Sequence, residues 1–319
     1  MISKMTNKKG MIEFNWIFVL IIGAVILFIA VFFVGKLIGT QQYASNTELA
    51  KNFDILLNPF ASIGGMGTVT LAKTIQMPQT TQINQSCSVK DRRITMYLRS
   101  ESSTGKKWGE WGLPNQIYNK YIFSNAFMQA KTFEVFSMPL NLPFRIDDLI
   151  FIMDKDYCFV NAPAEVKGEI GMVNLSKLRF VDSTNDCKAG SIEVCFETSG
   201  CDIRVVGDCT TTTTTDCNKF DYGYISKKGK LDYATTPMMY AAIFSDQKMY
   251  DCEMKMIKER LDGLIEIYKQ KAVILAEQGC RTEELQTALE HLKSETSMEG
   301  LFIRAREVNG ANPLECPVF

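Results

Sequence analysis

Histidine is nearly missing from this sequence, and the motifs of several large enzyme classes are missing altogether. A single histidine, His291, occurs among 319 residues. Imidazole serves most often in general acid–base catalysis and in binding transition metals, so a mechanism that needs two imidazoles is excluded. No GxSxG elbow, HExxH helix or GxxxxGKS/T loop is found, which argues against the common serine hydrolases, zinc proteases and P-loop nucleotidases.

The remaining patterns that resemble enzyme motifs are weak. Ser245-x-x-Lys248 fits the SxxK arrangement of some acyl enzymes, but residues 103–106 fit it equally well, and two matches to so short a pattern indicate chance. Asp147 and Asp148 are adjacent, so in a strand they point to opposite faces and do not form an acid–base pair. We therefore expect a protein that is not an enzyme and that has no catalytic residue, cofactor or metal ion.

An excess of charge of either sign is also absent. The formal net charge is −1, and Lys and Arg nearly balance Asp and Glu. The basic excess typical of nucleic-acid-binding proteins does not occur, and neither does a long acidic tail. The sequence therefore predicts no nucleic-acid partner, while its 46% hydrophobic residues suffice for one or two globular domains.

Ten cysteines stand out against these absences. All lie after a long apolar segment near the N-terminus, and none forms a CxxC pair, the usual mark of a zinc knuckle or a thioredoxin-like site. An even number of cysteines on one side of such a segment predicts disulfides in an oxidising compartment. The alternative is free thiols buried in a cytosolic domain, because cysteine packs well in cores. The ten candidates are Cys87, Cys158, Cys187, Cys195, Cys201, Cys209, Cys217, Cys252, Cys280 and Cys316.

The apolar segment itself predicts a membrane-spanning helix. Between Glu13 and Lys36 lie 22 residues without a charge, which as a helix extend ~33 Å and match a hydrocarbon core of ~30 Å. Lys4, Lys8 and Lys9 precede this segment, so the positive-inside rule places the N-terminus in the cytoplasm and the cysteines outside. The segment is longer than the apolar core of a cleaved secretory signal, and no A-x-A site follows it closely. The lipid bilayer is thus the first partner that we expect.

The residues just ahead of this segment resemble the leader of type IV pilin-like proteins, a family that includes archaeal pilins and tight-adherence pseudopilins. The resemblance rests on Lys8-Lys9-Gly10, then Met11, Glu13 and an immediate apolar helix. It implies that a prepilin peptidase cuts after Gly10, that Met11 becomes the new N-terminus, and that apolar helices of like subunits pack as a filament core. Glu13 would pair with a neighbouring subunit's terminal amine. Many members carry this glutamate at the fifth mature position, whereas here it is the third, so pairing with its own amine or a place among lipid headgroups stays open.

Beyond the membrane segment, local patterns predict a second helix and then a β-rich region. Ser45-x-x-Glu48 fits a capping box, so a stalk helix should begin near Asn46 and end at Pro59. The stretch "RRITMYLRS" alternates in polarity as a half-buried strand does. The stretch "SIEVCFETSGCDIRVV" resembles a hairpin whose turn lies at residues 198–200.

The last part of the exported chain predicts helices. Apolar residues step by three or four from Tyr250 to Leu275, and Gly279 is a natural stop. Cys252 and Cys280 lie ~40 Å apart along this helix and cannot pair with each other. Cys280 with Cys316 is a better pair.

Three further features lie in the β-rich part. Cys195 and Cys201 flank the expected hairpin turn and are plausible partners. The six threonines between Cys209 and Cys217 predict an exposed loop, because they neither build a core nor favour a helix. Asn84 and Asn174 each begin an N-glycosylation sequon, which matters only on the exported side.

Together these patterns predict an α+β protein with a single N-terminal transmembrane helix and a disulfide-stabilised exported domain, which has a β-rich middle and a helical C-terminal part. The expected division is a cytoplasmic basic leader at 1–13, a transmembrane helix at 14–35, a stalk helix at 36–59, a β-rich domain at 60–235 and helices packed on it at 236–319. We expect a single-pass cell-surface protein with its large domain outside the membrane, acting as a structural or adhesive pilin-like subunit. The alternatives are an anchored binding module that is neither cleaved nor polymerised and, less favoured, an anchored enzyme.

Overall fold

A computed structural model describes residues 10–62, 71–102, 107–173, 175–208 and 220–319. These residues form six α-helices and twelve β-strands in mixed sheets, which confirms the α+β class. The helices are α1 Gly10–Ser62, α2 Ala164–Gly171, α3 Thr236–Phe244, α4 Gln247–Glu277, α5 Glu283–Ser294 and α6 Met298–Ala311. The strands are β1 Leu71–Ser88, β2 Arg93–Ser100, β3 Asn115–Tyr118, β4 Tyr121–Phe123, β5 Phe127–Asn141, β6 Arg145–Met153, β7 Tyr157–Val160, β8 Leu178–Val181, β9 Ile192–Phe196, β10 Ile203–Gly207, β11 Gly223–Ser226 and β12 Lys230–Tyr233.

The first sheet packs one face against the second half of α1. Its strand order is β3-β2-β1-β5-β6-β4, and its pairs are antiparallel except β4 with β6. Ile94, Met96 and Leu98 of β2 are fully buried and alternate with partly exposed residues, which confirms the predicted strand pattern. They share a core cluster with Phe53 and Leu57 of α1.

The second sheet has the order β12-β11-β10-β9-β7-β8, and the predicted hairpin within it is wrong. Strands β9 and β10 pair in parallel rather than antiparallel. Glu197 and Gly200 adopt positive φ angles of 65° and 104°, and the Asp202 carboxylate accepts a hydrogen bond of 3.0 Å from the Glu193 amide. After β9 the chain turns back and returns to the start of that strand. It then reverses again, so that β10 runs in the same direction as β9.

Helix α3 lies between the two sheets. Every residue from Met238 to Phe244 is buried, as expected for a helix that is apolar on all faces. The Phe244 ring lies 5.6 Å from Phe136 of the first sheet and 4.9 Å from Tyr157 of the second. The largest core cluster thus joins both sheets through this short helix.

The C-terminal helices pack around the same core. Helix α4 buries Tyr250, Ile257 and Leu261, so the apolar stripe that the sequence predicts is confirmed. Gly279 follows the helix with φ +94°, a left-handed conformation that glycine adopts without steric cost.

Helix α1 is a single helix of 53 residues, so the predicted break before Asn46 and the predicted end at Pro59 are wrong. Pro59 lies in the last turn, where the loss of one backbone hydrogen bond is tolerated because little helix follows. The Ser45-x-x-Glu48 pattern lies inside this continuous helix and does not start one. The membrane segment and the stalk therefore form one rod of ~80 Å.

Four disulfides occur within the described ranges. Cys195–Cys201 and Cys280–Cys316 are the two pairs that the sequence suggests. Cys252, which cannot reach Cys280, bonds to Cys87 at the end of β1. The full set is Cys87–Cys252, Cys158–Cys187, Cys195–Cys201 and Cys280–Cys316. Cys209, Cys217 and the threonine run lie outside the described residues.

Candidate membrane and assembly interface

The first half of α1 carries the most unusual surface of the molecule. The 18 residues from Trp16 to Phe33 form a helical segment that is long and apolar enough to span a membrane, and none of them is buried by the rest of the chain. At 1.5 Å per residue this window extends ~27 Å, close to the ~30 Å of a hydrocarbon core. Among the described residues it is the one helix with these properties.

This segment is apolar around its whole circumference. Large side chains on successive turns are open to their surroundings, from 43% exposure at Ile22 to 73% at Phe28. A soluble surface helix shows instead one apolar stripe and one polar face. Contiguous apolar surface of this extent is typical of a surface that lipid or another protein covers.

The second half of α1 is held by the first sheet and the loop that follows β2. Asn46 Nδ2 donates to the Glu110 carbonyl at 2.8 Å, and Asn46 Oδ1 accepts from the Ser100 amide at 3.1 Å and the Ser100 hydroxyl at 2.7 Å. Asn46 is 1% exposed, so these hydrogen bonds are shielded from water. Asn46 thus binds α1 both to the end of β2, at Ser100, and to the loop that follows it, at Glu110.

The neighbouring residue completes this attachment. The Thr47 hydroxyl accepts from the Leu113 amide at 3.0 Å. A Cβ placed on Gly112 would lie 2.7 Å from backbone atoms of Asn46 and Thr47, so glycine permits this close approach. About two helical turns further on, Asp54 forms an ion pair with Lys120. The apolar half of α1 therefore extends from a firmly packed base.

The structure accounts for only part of the predicted leader. Gly10 is the first residue of α1, and Met11 and Glu13 continue the same helix into the apolar segment. At 1.5 Å per residue Glu13 precedes Trp16 by ~4.5 Å along the axis. Lys8 and Lys9 lie outside the described residues.

No protein-family model, curated protein or solved structure matches this chain. Interpretation of the interface therefore depends on the physical properties of the helix and on the leader pattern.

Two clefts in the two-sheet domain are lined by charged side chains of the described residues. The larger, of about 520 Å³, lies between β12 and the helices α4 and α6, and carboxylates of Asp208, Asp232 and Glu299 line it. Lys230 pairs with Asp232 at 2.9 Å, and the Tyr222 hydroxyl donates to Glu299 at 3.5 Å. Two of the three carboxylates therefore already have partners within the cleft.

The smaller cleft, of about 340 Å³, surrounds Asp147 with cations. Burial raises the pKa of Asp147, while hydrogen bonding from the Asp148 amide and the charge of Arg260 oppose this shift. Burial, aided by the charge of Asp147, also raises the pKa of Tyr121 to about 12. Arg92 pairs with Glu259 at 3.0 Å on the cleft rim.

The weak enzyme patterns do not form sites. Ser245 is buried and its hydroxyl donates to the Ala241 carbonyl at 2.5 Å, whereas Lys248 is exposed. Asp148 is held by Arg145 at 2.7 Å on the opposite side of β6 from Asp147. His291 is exposed on α5. The described part of the chain contains no group of three metal-ligating side chains, and the second SxxK match, at 103–106, lies outside it.

Sequence reasoning missed the burial of several ionisable residues, of which Glu253 has the most unusual surroundings. Glu253 on α4 is fully buried, and neither of its oxygens has a hydrogen-bond partner among the described residues. Burial raises its pKa well above the ordinary value, and the nearby Ile122 amide opposes this only weakly. A signal did exist, because Glu253 lies three residues after Tyr250 and four before Ile257, within the apolar stripe.

Lys227 is a half-buried cation that sequence reasoning also missed. Its ammonium donates to the carbonyls of Ala242 and Ser245 at the C-terminal end of α3, where the helix dipole favours a cation. Burial nevertheless lowers its pKa to about 8. No local pattern in the sequence marks this contact, because the lysine lies on the turn between β11 and β12.

Of the two sequons, one can be placed. Asn84 lies in β1 with its side chain exposed, and Asn174 lies outside the described residues.

Proposed function

We propose that this protein is a single-pass cell-surface protein that assembles with copies of itself, as pilin-like subunits do, through the first half of α1. The lipid bilayer covers the apolar segment before assembly, and neighbouring apolar helices cover it afterwards. The N-terminus lies in the cytoplasm and the two-sheet domain outside. A prepilin peptidase removes the leader after Gly10, which leaves Met11 at the start of α1 and Glu13 near its end.

The observation that carries this proposal is the continuity of α1. A simple anchor needs only a span and a linker, whereas here the span and the packed stalk are one helix with the domain fastened to its second half. A rigid rod of this kind holds each domain at a fixed distance from a shared helical core. The apolar circumference from Trp16 to Phe33 provides the surface on which such rods pack.

The disulfides support the exported placement of the domain. Such bonds persist in oxidising compartments and are rare in the cytosol of most cells. Every cysteine of the chain follows the apolar segment, so a single crossing is enough to bring all of them outside.

Leader processing can be tested with two glycine variants. We expect the native protein to begin at Met11, and Gly10→Val to retain the leader and to remain unassembled in the membrane. Gly23→Val is the matched control, because Gly23 lies in the same helix with open space around it and is remote from the cut. Mass spectrometry of the intact protein reads the N-terminus. A native protein that keeps residues 1–10 would contradict pilin-type processing.

Topology and assembly are tested with introduced cysteines. Asn52 is exposed on α1 beside the domain, so Asn52→Cys should react with a membrane-impermeant maleimide on whole cells. Single cysteines at residues 20–27 should form cross-linked multimers on one side of the helix when the membrane is oxidised. An intact N-terminus with no cross-link at any of these positions would favour the anchored binding module instead.

A further inference from the structure

The first sheet leaves part of one face open. Helix α1 covers the face formed by Ile83, Leu98 and Met128. On the opposite face, the end of β1 and the start of β5 expose Asn84 and Phe127, which alternate with those buried residues. The open area lies over β3, β2 and the adjoining ends of β1 and β5.

Asn84 lies between two aromatic side chains on this face. It is directly opposite Tyr97 of β2 and directly opposite Phe127 of β5. Directly opposed residues of antiparallel strands point to the same face with Cβ atoms ~4.5–5.5 Å apart. Phe127 is 51% exposed and Tyr97 partly exposed, so both rings present apolar area beside the asparagine.

A row of polar side chains crosses the same face beside the row of Asn84. It consists of Arg99, Gln82 and Gln129, each two residues from Tyr97, Asn84 and Phe127 in its own strand. Arg99 Nε donates to Gln82 Oε1 at 2.6 Å, and Gln82 Nε2 donates to Gln129 Oε1 at 2.7 Å. The Arg99 guanidinium lies 4.3 Å from the centre of the Trp111 ring. These contacts hold the row in place, ~7 Å from the row of Asn84.

We propose that Asn84 carries an N-linked glycan whose first sugars lie on the Tyr97 and Phe127 rings and hydrogen-bond to the polar row. Asn84-Gln85-Ser86 is a sequon, and Asn84 and Ser86 are both exposed on the open face. The apolar C–H face of a pyranose matches an exposed ring, and the amide of Gln129 matches sugar hydroxyls. This inference rests on the exported placement in the proposed function.

The modification is a glycosyl transfer from a lipid-linked oligosaccharide. Nδ2 of Asn84 attacks the anomeric carbon C1 of the first sugar. The C1–N bond forms while the bond from C1 to the lipid phosphate oxygen breaks, Nδ2 loses one proton, and the lipid phosphate leaves. No oxidant or reductant takes part.

Mass spectrometry of the native protein tests the site directly. The peptide containing Asn84 should carry a glycan, which Ser86→Ala should abolish and Ser86→Thr should retain. An unmodified Asn84 in native protein would overturn the inference. If Asn84 is unmodified but Asn52→Cys is labelled from outside in the same cells, only the glycan inference fails and the proposed function stands. If Asn52→Cys is not labelled because the domain lies in the cytoplasm, both the glycan inference and the proposed function fail.

The role of the rings is tested by thermal unfolding of the full chain in detergent. Native protein should unfold a few degrees above Asn84→Gln, and this difference should disappear in the Phe127→Ala background. Leu113→Ala is the matched control. Leu113 is 52% exposed, much as Phe127 is, but it lies on the loop beside Thr47 of α1 and not on the open face. Protein from a host without N-glycosylation should show no such difference. A glycan whose effect on the midpoint survives Phe127→Ala would overturn the proposed stacking.

Discussion

Replacing Glu253 with glutamine should remove a pH dependence that this residue imposes on folding. The buried carboxyl keeps its proton in the folded state, because burial raises its pKa well above the ordinary value. In the unfolded chain it ionises near pH ~4.3. Below that pH both states are protonated, so the residue contributes no pH dependence. As the pH rises, the unfolded state loses its proton while the folded state retains it, so the free energy of unfolding falls.

The magnitude follows from proton linkage. One bound proton per molecule corresponds to about 1.4 kcal/mol per pH unit, so a carboxyl that keeps its proton at every pH from 5 to 7 lowers the free energy of unfolding by at most about 2.7 kcal/mol over that range. Glu253→Gln has no proton to lose and should lack this slope. The two pH slopes should be compared and not the two free energies of unfolding at one pH. The buried glutamine amide also lacks hydrogen-bond partners, which lowers the stability of the variant at every pH.

Urea unfolding of the full chain in a nonionic detergent, followed by near-ultraviolet circular dichroism at pH 5, 6 and 7, measures these slopes. Glu277→Gln is the matched control, because Glu277 ends the same helix and is exposed. Parallel curves for the wild type and Glu253→Gln would refute the assignment of a protonated, unpaired carboxyl in the core.

Two further predictions concern the attachments of α1 and α4. Asn46→Ala removes three hydrogen bonds made by a side chain that is only 1% exposed, so it should destabilise the chain by about 1–3 kcal/mol in the same urea assay. Removing the Cys87–Cys252 disulfide with paired alanines should cost about 5 kcal/mol, because it closes a loop of 165 residues. Removing Cys195–Cys201, which closes a loop of 6, should cost only about 2 kcal/mol.

Controls for these two predictions are available in the same elements. Asn52→Ala, on the exposed side of α1, should leave the free energy of unfolding within about 0.5 kcal/mol of the wild type. If Asn46→Ala and Asn52→Ala changed the free energy of unfolding equally, the hydrogen bonds of Asn46 would not stabilise the attachment of α1. Equal costs for the two disulfides would contradict the loop-closure explanation of their ranking.

Features decided by local periodicity were predictable from the sequence. The alternation in β2 and the stripe of α4 depend only on the spacing of apolar residues along one strand or one helix. The apolar segment after Glu13 was recognisable for the same reason, since no partner is needed to identify a long uncharged run.

Features decided by tertiary contacts were not predictable. The sequence predicts a helix start near Asn46, but this side chain bonds to Glu110 and Ser100, 64 and 54 residues away, from within a continuous helix, and no local pattern marks these contacts. The Thr-Ser-Gly turn likewise does not reveal that the chain reverses twice before β10. The Cys87–Cys252 pair joins residues too distant in sequence for any spacing rule. What Glu13 pairs with stays a prediction.

The Cys87–Cys252 bond has a consequence for proteolysis of the folded protein. Any single cut between these two cysteines, including one in the threonine run, leaves both fragments covalently joined. A chain cut once would run as one band on a non-reducing gel and as two after reduction. The helical C-terminal part would thus stay tethered to the sheet after a cleavage that would otherwise shed it.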